Sequence, residues 1–135
     1  MLSIEILIKA QFYDLDPMNV VWHGNYARFL EQARCELLDK IGYNYVEMGA
    51  SGYAWPIVDL KVRYVRPIRF GQEFIVKATI AEFENGLTID YRLTDRLSGE
   101  VLTKARTRQA PVVIETGELC IESPAALTDK IKALA

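Results

Sequence analysis

Apolar and polar residues alternate at the beginning of the chain. Every even position from 2 to 12 is apolar, and most of the odd positions between them are polar. A period of two predicts a half-buried β-strand over residues 2–12. Residues 14–25 contain Pro17, Asn19 and Gly24 and lose this alternation, so they are predicted to form a loop.

The period lengthens to 3.6 residues between Asn25 and Ile41, which predicts an amphipathic α-helix roughly 25 Å long. We expect Asn25 or Gly24 to cap its start and Gly42 to end it. Its apolar surface is broader than a simple stripe, so we expect the helix to be covered on more than one side. The stripe consists of Tyr26, Phe29, Leu30, Ala33, Leu37 and Ile41.

The rest of the chain is dominated by strand patterns. Asn85-Gly86 is a two-residue hairpin signal, and Ser98-Gly99 and Thr116-Gly117 mark further turns. Alternating stretches predict strands at residues 58–64, 74–80, 87–93 and 101–114. A short terminal helix is predicted at residues 124–134. This order predicts an α+β fold in one domain, residues 1–135, with an antiparallel β-sheet curled around one long central helix.

Composition narrows the class of protein. The 135 residues carry a net charge of −2 and only one histidine, so neither nucleic-acid binding nor a zinc site is expected. The first residues lack the pattern of a signal peptide, and no apolar run approaches the ~20 residues of a membrane span. Cys35 and Cys120 have no metal-type spacing, so we expect reduced thiols in a cytoplasmic protein without a cofactor.

Two carboxylates and the histidine lie just before the predicted helix. Asp14 and Asp16 precede His23 in the loop that leads into it. A helix N-terminus presents unpaired backbone N–H groups and the positive end of the helix dipole, which stabilise a developing negative charge. A carboxylate beside such a terminus is suited to the hydrolysis of an activated acyl group.

Two blocks of sequence carry a family resemblance. The first is Asp14-Leu-Asp16 followed by His23-Gly-Asn25-Tyr26 and Glu31-Gln-Ala-Arg34, and the second is Tyr64-Val-Arg-Pro67-Ile-Arg-Phe70-Gly71. In this order the blocks resemble the hotdog-fold acyl-CoA thioesterases of the 4-hydroxybenzoyl-CoA thioesterase type. The resemblance extends over nearly the whole chain.

The resemblance implies roles for individual residues. Asp16 takes the position of the family's catalytic aspartate, and His23 that of the residue whose backbone amide binds the oxyanion. Asn25, Tyr26 and Glu31 take positions that bind the substrate. The implied activity is hydrolysis of a thioester to a free acid and coenzyme A.

The resemblance also implies partners. The substrate is expected to be an acyl-CoA, with an acyl-carrier protein as the other possible carrier. The chain departs from the family at residues 17–19, beside the acyl site, so the acyl group stays open. We expect a homodimer or a dimer of dimers, in which an edge strand within residues 54–66 pairs across the two-fold axis.

Asp14 and Asp16 each also have a non-catalytic interpretation. Aspartate near proline often starts a turn, and we assign this role to Asp14. For Asp16 we favour catalysis, either by attack on the thioester carbonyl to give a mixed anhydride or by activation of a water molecule. The sequence does not separate these two routes.

His23 and Glu31 also have two interpretations each. The His23 ring is a possible general acid or base, but we favour the role of its backbone amide. Glu31 either forms a helix-surface ion pair with Arg34 or Arg28, or carries the catalytic carboxylate in place of Asp16.

Two other functions fit the same fold. A dehydratase would need a histidine on the helix, which this helix lacks, and a non-catalytic acyl-binding protein would not need Asp16. Seven basic residues could meet the phosphates of coenzyme A, although most are expected to form a solvated outer sheet face: Lys61, Arg63, Arg66, Arg69, Lys104, Arg106 and Arg108.

Overall fold

The computed structural model describes residues 2–134 and contains one main β-sheet, one long helix and two shorter helices. The strands are β1 (Ser3–Lys9), β2 (Tyr53–Ala54), β3 (Ile57–Tyr64), β4 (Glu73–Glu82), β5 (Leu87–Asp95), β6 (Val101–Gln109) and β7 (Val112–Val113). The helices are α1 (Tyr26–Ile41), α2 (Tyr45–Ala50) and α3 (Ala125–Leu134). The predicted order of strand, long helix and antiparallel strands is therefore confirmed.

The main sheet has the strand order β1-β4-β5-β6-β3, and each neighbouring pair is antiparallel. Alternate residues of β4, β5 and β6 face inward and are buried, as the period of two requires. Helix α1 packs on this inner face: the Phe29 ring meets the Phe74 ring edge-on at 5.2 Å between centroids. The apolar stripe of α1 and the inner face of the sheet thus form one core.

The end of α1 follows the sequence signal. Gly42 has φ +81°, which glycine adopts without steric cost, and its N–H donates to the Leu38 carbonyl at 3.0 Å. This left-handed residue turns the chain toward Tyr43, which is buried beside Trp55.

Two predicted strands are too long. The strand predicted over residues 2–12 stops at Lys9, because a carboxylate oxygen of Asp14 accepts the Gln11 N–H and turns the chain into a 3-10 helix. The strand predicted over residues 101–114 is broken after Gln109, where Pro111 has no N–H to donate to a ladder.

After this break, β7 leaves the main sheet and pairs with β2. The Thr116-Gly117 turn folds the following segment back, since the Gly117 N–H donates to the Val113 carbonyl at 2.7 Å. Sequence periodicity also missed α2. Its capping box joins Asn44 and Glu47, which is a local signal at the spacing of an N-cap and an N3 residue.

Strand β3 lies at the edge of the sheet, within the range where an edge strand is expected. Leu60 and Tyr64 project to the same side as Val62, which packs on the core, whereas Val58 lies at a bulge between Ile57 and Asp59. Leu60 and Tyr64 nevertheless remain 47% and 49% exposed, because α1 does not cover this edge, and Val58 is 46% exposed. The inner side of β3 is therefore an apolar strip that the described residues leave uncovered.

Candidate active site

The loop before α1 is a tight hairpin. Leu15 and Val21 form an antiparallel bridge, and the Asp16 N–H donates to the Val20 carbonyl at 2.9 Å. At its tip the Asn19 N–H donates to the Asp16 carbonyl at 3.0 Å, and Asn19 has φ +63°. Asparagine tolerates this left-handed conformation better than most residues, which explains its place here.

Asp16 is half-buried at the base of this turn. Its Oδ1 accepts the Met18 N–H at 2.9 Å, so the turn-forming interaction is present. No group among residues 2–134 donates a hydrogen bond to its Oδ2. One oxygen therefore holds the turn, and the other is available to an incoming molecule.

Asp14 has a different environment. Its carboxylate is buried, accepts the Gln11 N–H at 2.8 Å and is ion-paired with Arg28 on α1. Its carbonyl accepts the Asn25 side-chain amide at 2.8 Å. Asn25 is the N-cap residue of α1, one of the two residues expected there, but its side chain fastens the loop and makes no capping hydrogen bond. Asp14 does more than start a turn, because it anchors the hairpin to the helix.

The N-terminus of α1 begins with a 3-10 turn, His23–Asn25. The Asn25 N–H donates to the Trp22 carbonyl at 2.9 Å. The backbone N–H groups of His23 and Gly24 have no acceptor within the described part of the chain. These two amides are the free donors of the helix start and can bind an anion there.

The His23 carbonyl is fixed from the edge strand. The Tyr64 hydroxyl donates to it at 2.9 Å. The imidazole is exposed and tilted against the Trp22 ring, with 5.3 Å between centroids. The indole in turn lies over Gly24, where a Cβ would come within 2.3 Å of it. The backbone of His23 is therefore better fixed than its ring.

Tyr26 is buried at the first turn of α1. Its ring packs edge-on against Phe29 and Tyr64, at 5.9 and 4.8 Å between centroids. Burial raises the pKa of its phenol above the ordinary value. The ring supports Tyr64, and its contact with a substrate stays a prediction.

Glu31 lies further along α1 and is exposed. It is ion-paired with Arg34. The helix ion pair, which was one of its two predicted roles, is therefore present. Both side chains line a cleft of about 860 Å³ between α1, α2 and the β2–β7 pair. This volume is typical of small-molecule pockets, and most of the lining is apolar: Leu38, Tyr45, Met48, Tyr53, Trp55 and Val112.

Gln109 supplies a buried polar atom at this cleft. The residue is 4% exposed, and its amide Nε2 donates to the Trp55 carbonyl at 2.8 Å. Its Oε1 accepts no hydrogen bond from residues 2–134. A buried acceptor without a donor is costly to the folded state.

The sequence-predicted residues thus fall into two groups. Asp16 lies on the hairpin and His23, Asn25 and Tyr26 lie at the start of α1, whereas Glu31 lines the cleft. Sequence reasoning missed the anchoring role of Arg28, the tether from Tyr64, and the contributions of α2 and Gln109 to the cleft. Only α2 had a local signal, its capping box.

Between positions 2 and 134, the structure contains no group of three or more histidine, cysteine, aspartate or glutamate side chains that could hold a metal ion. Within the same range, none of the helices is both long and apolar enough to cross a membrane.

A five-stranded antiparallel sheet around one long helix is the hotdog fold, and solved structures share it. The 1,4-dihydroxy-2-naphthoyl-CoA thioesterase of Synechocystis superposes with a TM-score of 0.86 at 18% identity, covering 98% of this chain and 97% of that one. A 4-hydroxybenzoyl-CoA thioesterase mutant crystallised with 4-hydroxybenzoyl-CoA superposes with a TM-score of 0.84 at 21% identity, and the superposition covers 100% of both chains. The predicted fold is confirmed.

Residues 10–133 match the model of the thioesterase-like superfamily, and the chain belongs to this family. The family resemblance found in the sequence is therefore confirmed. A putative esterase of Synechocystis sp. is 32% identical over 117 residues, which cover 87% of this chain. The match covers 60% of that relative's length.

Proposed function

We propose that the protein hydrolyses acyl-CoA thioesters at the hairpin and the start of α1. The observation that carries this proposal is the Asp16 carboxylate, with one unengaged oxygen, on a hairpin that leads into the free His23 and Gly24 amides. A carboxylate and an oxyanion-binding helix start are the two groups that acyl transfer requires. Membership of the thioesterase-like superfamily supports the same reaction class.

The reaction has two possible routes at this site. In the first, Asp16 attacks the thioester carbonyl, the C–S bond breaks, and water hydrolyses the resulting mixed anhydride. In the second, Asp16 takes a proton from the water that attacks the carbonyl. Both routes release the free acid and the thiol, which recovers its proton from solvent. In both, the His23 amide stabilises the oxyanion, a contribution on the order of 3 kcal/mol.

The proposal includes a homodimer built through β3. This edge strand has unpaired backbone groups and the half-exposed apolar side chains of Val58, Leu60 and Tyr64. A second copy of β3 would pair with the first across a two-fold axis and cover that strip. A dimer of dimers would keep this interface.

The same symmetry would place two subunits at each active site. An axis through the middle of β3 puts the Tyr64 end of one strand beside the Ile57 end of its partner. Tyr64 holds the His23 carbonyl, while Ile57 follows Trp55 and the apolar cleft. One subunit would then supply Asp16 and the oxyanion site, and the other would supply the pocket for the acyl group.

An assay of thiol release on a panel of acyl-CoA substrates tests the reaction. The panel includes an aryl, a short branched and a long-chain thioester. We expect release of coenzyme A from at least one of them and a loss of at least a hundredfold in Asp16→Asn. Acyl-CoA binding without thiol release would favour an acyl-binding protein. Double-bond formation from a 3-hydroxyacyl-CoA without thiol release would favour a dehydratase.

A further inference from the structure

The outer face of the main sheet carries a straight row of four cations. The strand registers place Arg63 of β3 opposite Lys104 of β6, Lys104 opposite Arg92 of β5, and Arg92 opposite Lys77 of β4. All four side chains are exposed. The row ends at β1, where Glu5 is opposite Lys77.

Such a row of like charges lowers the stability of the sheet. Like charges directly opposite each other on neighbouring strands are destabilising. None of the four cations forms an ion pair within the part of the chain that the structure describes. In the next row Lys61 also lies opposite Arg106, but there Asp90, on the other side of Arg106, binds its guanidinium at 2.6 Å. The row is therefore a local exception in a protein with a net charge of −2.

The row lies in a shallow groove of about 730 Å³, to which Lys61 adds a fifth unpaired cation. Neighbouring strands are about 4.8 Å apart, so four cations on four strands extend over about 14 Å. On an α-helix, two acidic residues three or four positions apart are separated by about 4.5 to 6 Å along the helix axis. The spacing of the row therefore matches the spacing of an acidic helix face.

We propose that this groove docks an acidic α-helix of a partner protein, with its axis across the strands. The proposal is independent of the thioesterase reaction, because Asp16 and His23 lie on other elements. A second copy of the same face is a poor occupant, since cations would meet cations. A single-stranded nucleic acid would require exposed aromatic rings for its bases, and the only aromatic residue at the groove, Tyr91, is buried.

Fluorescence anisotropy with two labelled peptides tests the proposal on the full-length protein. Both are 18-residue helical peptides of one composition, but only the first has its glutamates on one face, three or four residues apart. We expect the first to bind more tightly than the second. Arg92→Gln combined with Lys104→Gln should weaken this binding about tenfold, since two ion pairs are lost.

The matched control combines Lys9→Gln with Lys132→Gln, which removes the same charge from other exposed positions. We expect it to bind the first peptide as the unaltered protein does. Equal binding of both peptides, or an equal loss in the control, would mean non-specific attraction and overturn the proposal. Binding of oligo(dT) or tripolyphosphate in place of the peptide would overturn it as well.

Thermal unfolding gives a second readout. Lys104→Gln relieves the repulsion from both of its neighbours in the row, so its unfolding midpoint should rise relative to that of the unaltered protein. A fall in the midpoint would show that the row stabilises the sheet by itself and would remove the reason to expect a partner.

Discussion

The Tyr64 hydroxyl donates a hydrogen bond to the His23 carbonyl at 2.9 Å, which ties the edge strand to the start of α1. The two residues are 41 positions apart in sequence. The same peptide segment presents the free His23 and Gly24 amides. The orientation of the proposed oxyanion site therefore depends on a strand that lies at the proposed subunit interface.

The first prediction concerns this tether. Tyr64→Phe removes one neutral hydrogen bond, worth about 1 kcal/mol, and should lower kcat up to about tenfold with little change in KM. Tyr64 would act as a positioning residue, so steady-state kinetics on the best acyl-CoA are the measurement. Tyr13→Phe, at an exposed ring, is the matched control. Equal kinetics in both variants would contradict the positioning role.

The second prediction concerns Asp16. Asp16→Asn keeps an oxygen that accepts the Met18 N–H, so the turn should persist while the charge is lost. We expect turnover to fall by on the order of a hundredfold or more, with unchanged thermal stability. Asp129→Asn, on an exposed face of α3, should be fully active. Retained turnover in Asp16→Asn together with loss in Glu31→Gln would transfer the catalytic role to the helix.

The third prediction separates the two neighbouring aspartates. Asp14→Asn breaks the ion pair with Arg28 and leaves a buried group with fewer partners. We expect the free energy of unfolding to fall by about 2 kcal/mol, because Arg28 is half exposed and the pair is partly screened. Denaturant unfolding of Asp14→Asn and Asp16→Asn side by side measures this difference. Equal stability of the two variants would contradict the anchoring role.

The helix and the sheet were predictable because each buries one face over many residues. Periodicity over sixteen residues of α1 and about nine of β5 or β6 identifies such faces. Helix α2 has only six residues, too few for a period to appear. The break after Gln109 depends on a single residue, Pro111, inside a segment whose pattern otherwise predicts one long strand.

The site was predictable in part. Asp16 and His23 stand in one local motif, so their shared place in the segment before α1 follows from the chain itself. Asp14 and Asp16 look alike in sequence, and only folding shows that Arg28 neutralises one of them. The cleft could not be predicted, because residues as distant as Glu31 and Gln109 line it and no pattern links them.

The fourth prediction concerns the role of His23. If its backbone amide is the functional group, His23→Phe should retain most of the turnover, because the exposed imidazole lies against the Trp22 ring and makes no hydrogen bond within residues 2–134. We expect a loss below tenfold and an unchanged pH profile of kcat/KM between pH 5 and 8. If His23→Phe loses as much turnover as Asp16→Asn, the imidazole transfers a proton. Disappearance of one arm of the pH profile of kcat/KM would show the same.

The fifth prediction tests the interface on β3. Val62→Glu places a charge in the middle of the strand and should reduce both association and activity, because each site would need two subunits. Val62 also packs on the core, so Leu60→Glu, at a half-exposed residue, is the variant in which the monomer should stay folded.

Lys61→Glu, on the opposite face of the strand, is the control and should remain associated and active. Light scattering and thiol release on the same samples give the measurement. A monomer of 15.4 kDa that is fully active at every concentration would refute both the interface and the shared site.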